Sequence, residues 1–242
     1  PFLGGLKQTF QSKNLKLHLL RGVFVFFQAV LFVWGLKYMT MAKAYSIVFV
    51  APFIAPLLGL LLLKERVSLP QWCAIITGFG GVLVILRPGL IPLDIGALAL
   101  IASSFFFSLS NITVRYMGRG KETLLSWGLL PELIVLLCTI ITLVALQDFA
   151  IPPLPHLSLL ALLGFTSSIG VICISLGFVF APAAIAAPFH YVQMLWGIGF
   201  GYFIFNDTLD PWVAAGSVLI ISSGLWLLRH SHRSQTITAP PP

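Results

Sequence analysis

Residues 42–87, AKAYSIVFVAPFIAPLLGLLLLKERVSLPQWCAIITGFGGVLVILR, decide the fold of this chain. They contain two apolar runs, 44–63 and 67–86, and neither run carries an aspartate, glutamate, lysine or arginine. An apolar helix of about 20 residues, rising about 1.5 Å per residue, crosses a hydrocarbon core about 30 Å thick. The turn between the runs, at 64–68, is too short and too charged to lie in lipid. The stretch therefore predicts a transmembrane helical hairpin.

A second copy of this hairpin lies 142 residues further along the chain, at 184–229. The two copies share several identical residues, among them Gly59 and Gly201, and Glu65 aligns with Asp207. Both copies have an apolar run, then an acidic turn, then a second apolar run. This common plan predicts an internal duplication.

The composition is that of a membrane protein. Hydrophobic residues make up 58% of the chain and charged residues 9%, whereas soluble domains carry about 25% charged residues. We therefore expect an all-α integral membrane protein. The net charge of +7 is typical of lysine and arginine at a cytoplasmic face, so no nucleic-acid partner is predicted. Because Cys73, Cys138 and Cys173 have no metal-ligand spacing, they are predicted to pack as small apolar residues, with no metal or cofactor.

Apolar runs of membrane-spanning length predict eight transmembrane helices in this chain. They lie at 19–38, 42–63, 69–87, 94–115, 123–146, 157–179, 183–205 and 211–229. Residues 1–21 are expected to form a basic loop, and residues 230–242 a disordered cytoplasmic tail.

The basic residues are divided unequally between the two faces that eight crossings define. One face holds only Lys37, Lys43 and Arg87, and the other holds the remaining 11 of the 14 lysines and arginines. Because positive residues concentrate on the cytoplasmic side, both termini are predicted to be cytoplasmic.

The orientation of the two hairpin copies points to a transporter. The helices at 42–63 and 183–205 are five helices apart, an odd number, so the copies are inverted relative to each other. Inverted repeats are common in secondary transporters. The second repeat, 93–229, is predicted to have five helices, and the first, within 1–92, only three. By symmetry, two further helices, roughly 50 residues, are expected before residue 1.

Two segments resemble the EamA family of the drug/metabolite transporter superfamily. One is 38–89, and the other is 94–116, which includes Asn111. The resemblance implies a ten-helix bundle of two inverted five-helix repeats, of which this chain lacks the first two helices. It also implies an inner-membrane location and the transport of small metabolites. The chain has Lys64-Glu65 where the family usually has Gly-Glu, and Lys43 where relatives often have an acidic or small residue.

Glu132 is a candidate site residue because it lies near the middle of a predicted helix. An intramembrane carboxylate is costly and is functional by default. It is predicted to couple transport to protons or to bind a substrate amine. The alternative is a structural hydrogen bond, or a helix that begins later and leaves Glu132 near the interface.

A binding cavity is predicted between the 42–63 and 183–205 helices, near the bilayer midplane. Its candidate lining residues are aromatic or hydrogen-bonding, which suits a planar or amphipathic metabolite. The alternative is ordinary helix packing. The candidates are Tyr45, Phe49, His190, Gln193 and Trp196.

The 94–115 helix adds Asn111, which the family resemblance supports as a substrate-binding residue. The serines on the same helix are better interpreted as polar contacts between packed helices. Pro52, Pro56 and Pro188 lie inside predicted helices, where proline removes a backbone hydrogen bond and bends the helix. They are predicted to be hinges; the alternative is a fixed bend that improves packing.

These observations favour a secondary transporter that moves a small metabolite by alternating access. Two alternatives stay open: an integral-membrane enzyme and an accessory membrane protein. No HExxH, GxSxG or Walker motif supports an enzyme. Export of an amino acid or other metabolite is the first expectation, and uptake of an S-adenosylmethionine- or riboflavin-type compound the second. The lipid bilayer and a small-molecule substrate are the predicted partners, with the oligomeric state open.

Overall fold

The computed structural model describes residues 9, 12, 14–39, 41–86, 94–118, 122–146, 153–205 and 211–235. All regular secondary structure in these ranges is helical. The helices are α1 (Leu15–Gly35), α2 (Met41–Val48), α3 (Ala51–Leu63), α4 (Leu69–Leu86), α5 (Ile95–Met117), α6 (Leu124–Leu146), α7 (Leu154–Phe180), α8 (Ala183–Ala186), a 3₁₀ turn (Ala187–Tyr191), α9 (Val192–Phe205) and α10 (Pro211–Gln235).

Four helices, α1, α5, α6 and α7, are long and apolar enough to cross a membrane. Shorter apolar helices lie at Ala51–Leu63, Leu69–Ile85 and Pro211–Leu227. Large apolar side chains on the outer surface are exposed, such as Leu162 and Phe165 on α7, as expected of side chains that contact lipid. The chain is a multi-pass membrane protein.

Helix α5 lies at the centre of the bundle. It packs against α1 and α3, and α1 also packs against α6. The buried side chains of α5 are largely small, which lets its neighbours approach closely. Ser103 donates a hydrogen bond to the Gln28 carbonyl of α1 at 2.8 Å. The serines of α5 therefore join neighbouring helices.

Helix α4 packs along α10, and glycines bring the two backbones close together. A Cβ atom on Gly81 would lie 2.8 Å from the Gly216 carbonyl oxygen, closer than real side chains approach. Only glycine permits this contact, which is typical of helix pairs in membranes.

Two of the predicted helices are interrupted near their middle, contrary to the prediction of continuous helices at 42–63 and 183–205. The first breaks at Phe49–Val50, between α2 and α3, and the second at the 3₁₀ turn between α8 and α9. Proline explains both breaks, because Pro52 and Pro188 have no backbone N–H to continue the helical ladder. The two interrupted regions are neighbours: the ring of Phe49, at the first break, lies beside the ring of Tyr191, at the second, with centroids 6.3 Å apart.

Both ends of the described chain differ from the prediction. Helix α1 begins at Leu15, four residues before position 19, so part of the predicted basic loop is helical and enters the bundle. Helix α10 continues to Gln235, so the prediction of a disordered tail is wrong for residues 230–235. The acidic turn of the second hairpin copy, at 206–210, and the remainder of the tail, at 236–242, lie outside the described residues.

Candidate functional site

A cavity of about 270 Å³ lies between α1, α5 and the two interrupted helices. Its twelve lining residues come from α1, α2, α3, α5, α7, the 3₁₀ turn and α9, and from the break that follows α2. They are Gln28, Phe32, Tyr45, Val48, Phe49, Ala51, Pro52, Ser103, Phe107, Ile174, His190 and Gln193.

The break between α2 and α3 shapes one wall of this cavity. Pro52 cannot donate to the carbonyl of Val48, four residues earlier. Instead, the hydroxyl of Ser104 lies 3.4 Å from that oxygen, and the hydroxyl of Ser108 lies 3.2 Å from the Ala51 carbonyl. The same two hydroxyls lie 2.9 and 2.8 Å from carbonyl oxygens of α5 itself, so each shares its one proton between α5 and the broken helix.

Aromatic rings make up much of the remaining wall. The Phe32 and Tyr45 rings meet edge to face at 5.9 Å, and the Phe107 and His190 rings do so at 5.0 Å. Hydrogen-bonding side chains are few, and none of the twelve lining residues is an aspartate, glutamate, lysine or arginine. Such a wall suits a flat, uncharged ring system with a few polar atoms.

The structure brings together four of the candidate site residues, Tyr45, Phe49, His190 and Gln193, around this cavity. Trp196 lies elsewhere, on the outer surface of α9 with 66% of its area exposed. Of the candidate hinges, Pro52 lines the cavity. Pro56 and Pro188 are buried within α3 and the 3₁₀ turn.

Asn111 and Glu132 do not line the cavity. Asn111 is buried on α5, and its Nδ2 has no hydrogen-bond partner among the described residues. Glu132 is partly buried on α6. Two lining aromatics, Phe32 and Phe107, were missed by the sequence analysis. Phe107 is one of three consecutive phenylalanines, at 105–107, and the sequence does not show which of the three faces the cavity.

Arg21 is a third residue whose position the sequence analysis did not predict. It falls within the predicted basic loop, but it lies in α1 and is only 3% exposed. Its guanidinium donates to the Trp127 carbonyl and to the Ser175 hydroxyl, each at 2.7 Å, and to the Ser110 hydroxyl at 3.4 Å. The Trp127 carbonyl is free to accept the first bond because Pro131, four residues later in the helix, has no N–H to donate to it. Arg21 thus joins α1 to α5, α6 and α7.

Glu122 forms a neighbouring polar cluster just before α6. Its carboxylate lies 3.2 Å from the Nε2 atom of His18 and accepts hydrogen bonds from Ser12 and Asn14 at 2.8 and 3.0 Å. Burial alone would raise the pKa of Glu122, but the Ser12 hydrogen bond and the adjacent His18 together hold this pKa below its usual value. The cluster anchors the start of α1 to the start of α6.

Comparisons with known proteins find similarity to membrane transporters. A model of the EamA-like transporter family matches residues 2–87 and 94–229. An S-adenosylmethionine uptake transporter of Rickettsia prowazekii is 25% identical, over 95% of this chain and 77% of its own length. A riboflavin transporter of Rhizobium johnstonii is 28% identical, over 90% of this chain and 72% of its own length.

A solved crystal structure has the same fold. It superposes with a TM-score of 0.77 at 17% identity, over 95% of this chain and 80% of its own.

Proposed function

Because the chain belongs to the EamA-like transporter family, we propose that it is a secondary transporter that carries a small metabolite through the cavity by alternating access. The chain is a transporter and not an enzyme, as the family and its named relatives are transporters. The observation that carries the proposal is the position of the cavity, between two helices that are both interrupted where they cross.

Interrupted helices support alternating access. In secondary transporters, broken helices commonly meet at the substrate site, and the two halves of the protein rock about that site. Here Phe49 and Tyr191 meet at the two breaks, and they are separated by the same 142 residues as the two hairpin copies. This spacing supports two inverted repeats that exchange roles as the cavity opens to one side and then the other.

The cavity wall favours a planar, uncharged heteroaromatic metabolite, of the riboflavin type. Aromatic rings offer stacking surfaces, while Gln28, Ser103 and Gln193 offer hydrogen bonds to ring heteroatoms and hydroxyls. A free amino acid is less suitable, since the lining residues provide no charge for its carboxylate or ammonium group. An S-adenosylmethionine-type cation is the second candidate, because aromatic faces attract cations.

The charge distribution supports a bacterial inner-membrane location with both termini in the cytoplasm. Without Arg21, which is buried between helices, the predicted cytoplasmic face holds 10 of the 14 lysines and arginines and the other face three, an asymmetry typical of positive-inside insertion. The named relatives are bacterial proteins.

Binding to the purified protein tests the substrate class. Riboflavin is titrated by the quenching of its fluorescence, and S-adenosylmethionine competes with it. Phe107→Leu removes one aromatic wall and is expected to weaken riboflavin binding by about tenfold, since an aromatic contact contributes up to about 1.5 kcal/mol. Phe203→Leu is the matched control, because Phe203 is 81% exposed on α9.

Equal binding by the two variants and the unmodified protein would contradict the assignment of the cavity. Tight binding of S-adenosylmethionine without binding of riboflavin would favour the second candidate.

A further inference from the structure

Glu65 joins three separate parts of the bundle through one carboxylate. It lies in the turn between α3 and α4. Its Oε1 atom accepts a hydrogen bond from the Arg115 Nε at 2.6 Å, and its Oε2 atom accepts one from the Ala183 backbone N–H at 3.0 Å. Arg115 also donates to the Val179 carbonyl at 3.2 Å. The contact therefore connects the end of α3, the end of α5 and the junction of α7 with α8.

Local backbone structure places Glu65 at this point. Lys64 ends α3 in the left-handed conformation, with a φ of 55°, and the Glu65 N–H donates back to the Gly59 carbonyl at 3.1 Å. Gly59 also provides the space: a Cβ atom there would lie 3.1 Å from the Glu65 Oε2 and 3.2 Å from the Ala183 Cβ. The end of α3 and the start of α8 can approach this closely because residue 59 has no side chain.

A buried apolar cluster separates this contact from the cavity. Three elements show the same order along their axes: cavity residue, cluster residue, then a residue of the Glu65 contact. Around α3 the series is Pro52, Leu58 and Glu65, and on α5 it is Phe107, Ile112 and Arg115. Along the 3₁₀ turn and α8 it is His190, Ala187 and Ala183, where Ala183 belongs to both the cluster and the contact. The contact thus lies at the end of the bundle that carries Lys64, Arg66 and Arg115, which we call the basic face.

We propose that Glu65 and Arg115 form a latch that closes the cavity toward the basic face and that opens when the cavity connects to that side. The latch rests on the transport function proposed above and names the groups that control access to its site. Its two side chains are 16% and 26% exposed, so the ion pair is weaker than a fully desolvated one. A contact of this strength can break in each transport cycle. In the conformation described here the latch is formed, and the basic face is closed.

Thiol accessibility tests the latch without a substrate. The starting protein has Cys73, Cys138 and Cys173 replaced by alanine, and Ile112→Cys places one thiol directly beneath the latch. A membrane-impermeant maleimide is applied from the basic face in vesicles of known orientation. Glu65→Gln keeps the side-chain size but weakens both bonds, and labelling is expected to become about tenfold faster, equivalent to about 1.4 kcal/mol.

The matched control is Arg66→Gln, which changes an exposed charge next to Glu65 and is expected to leave the labelling rate unchanged within about twofold. Arg115→Lys keeps the cation and is expected to accelerate labelling less than Arg115→Gln.

A second thiol position distinguishes a released latch from a loosened fold. Phe32→Cys lies on the cavity wall away from the latch, and it is labelled from the opposite face. If Glu65 controls access, Glu65→Gln shifts the population toward opening at the basic face, so labelling at position 32 slows while labelling at position 112 accelerates.

Faster labelling at both positions, or no change at position 112, would overturn the latch. Failure of riboflavin and S-adenosylmethionine to bind would instead count against the proposed substrate and leave these rates unaffected.

Discussion

The bond between Arg21 and the Trp127 carbonyl permits a quantitative test of the packing of α1 against α6. Proline at position 131 removes the helical donor of that carbonyl, and the guanidinium of Arg21 replaces it at 2.7 Å. Arg21→Met keeps the length of the side chain but leaves the buried carbonyl without this donor. An unsatisfied buried polar group costs about 1–3 kcal/mol.

The expected loss of stability follows from these contacts. The Ser175 hydroxyl keeps its own bond to the Val171 carbonyl at 2.6 Å, so its loss of Arg21 adds little. Removal of a buried cation offsets part of the cost, because burying an ion is itself unfavourable. We expect a net destabilisation of about 2 kcal/mol, or a fall in Tm of about 4–8 °C for a chain of this size.

Pro131→Ala provides the decisive comparison, because an alanine N–H can donate to the Trp127 carbonyl. Its stabilising effect is expected to be larger by about 1 kcal/mol in the Arg21→Met background than in the unmodified protein. The assay is reversible unfolding in detergent micelles, monitored by tryptophan fluorescence, for both single variants and the double variant. A coupling energy below about 0.3 kcal/mol would refute the idea that Arg21 replaces the donor that proline removes.

Three further predictions concern other parts of the bundle. Gly216→Val is expected to destabilise the α4–α10 pair by more than about 2 kcal/mol, because a Cβ atom there would lie 2.5 Å from the Gly81 carbonyl oxygen. The control in the same unfolding assay is Gly199→Val, because no atom lies within 4 Å of a Cβ atom at that position. Tyr191→Phe is expected to leave the Tm unchanged or raise it, since the buried hydroxyl has no hydrogen-bond partner among the described residues; a fall of several degrees would reveal a partner. Glu122 has a folded-state pKa below its ordinary value of 4.5, so its contribution to stability is present above pH 4.5 and is lost as the pH falls through the lower folded-state pKa. The Tm of Glu122→Gln should therefore fall less between about pH 5 and about pH 3 than the Tm of the unmodified protein. Parallel curves of Tm against pH would contradict this.

The sequence locates the helices well because long apolar runs carry a strong signal. Every predicted helix end lies within four residues of the observed one except the last, where α10 continues past Arg229 to Gln235. The interruptions in two helices are harder to predict. Proline shows that a hydrogen bond is missing, but whether the helix bends, tightens into a 3₁₀ turn or breaks depends on the neighbouring helix.

The sequence predicts only those site residues that can be recognised from their position along a membrane-spanning helix. Tyr45, Phe49, His190 and Gln193 lie at similar depth on two helices that face each other, and they line one cavity. Arg21 was not predictable, because a basic residue near the end of an apolar run ordinarily marks the aqueous face. Its burial depends on partners on three other helices, and a single sequence does not show which helices meet.

The position of Arg21 also has a consequence for how the protein is made. Its three partners are 89, 106 and 154 residues further along the chain. At about 5–20 residues per second, the last of them is synthesised roughly 8 to 30 s after Arg21. During that interval α1 carries a cation that has none of these three partners, and an unpaired cation is unfavourable in a membrane helix. We therefore expect the start of α1 to settle against its partners only after α7 has been made.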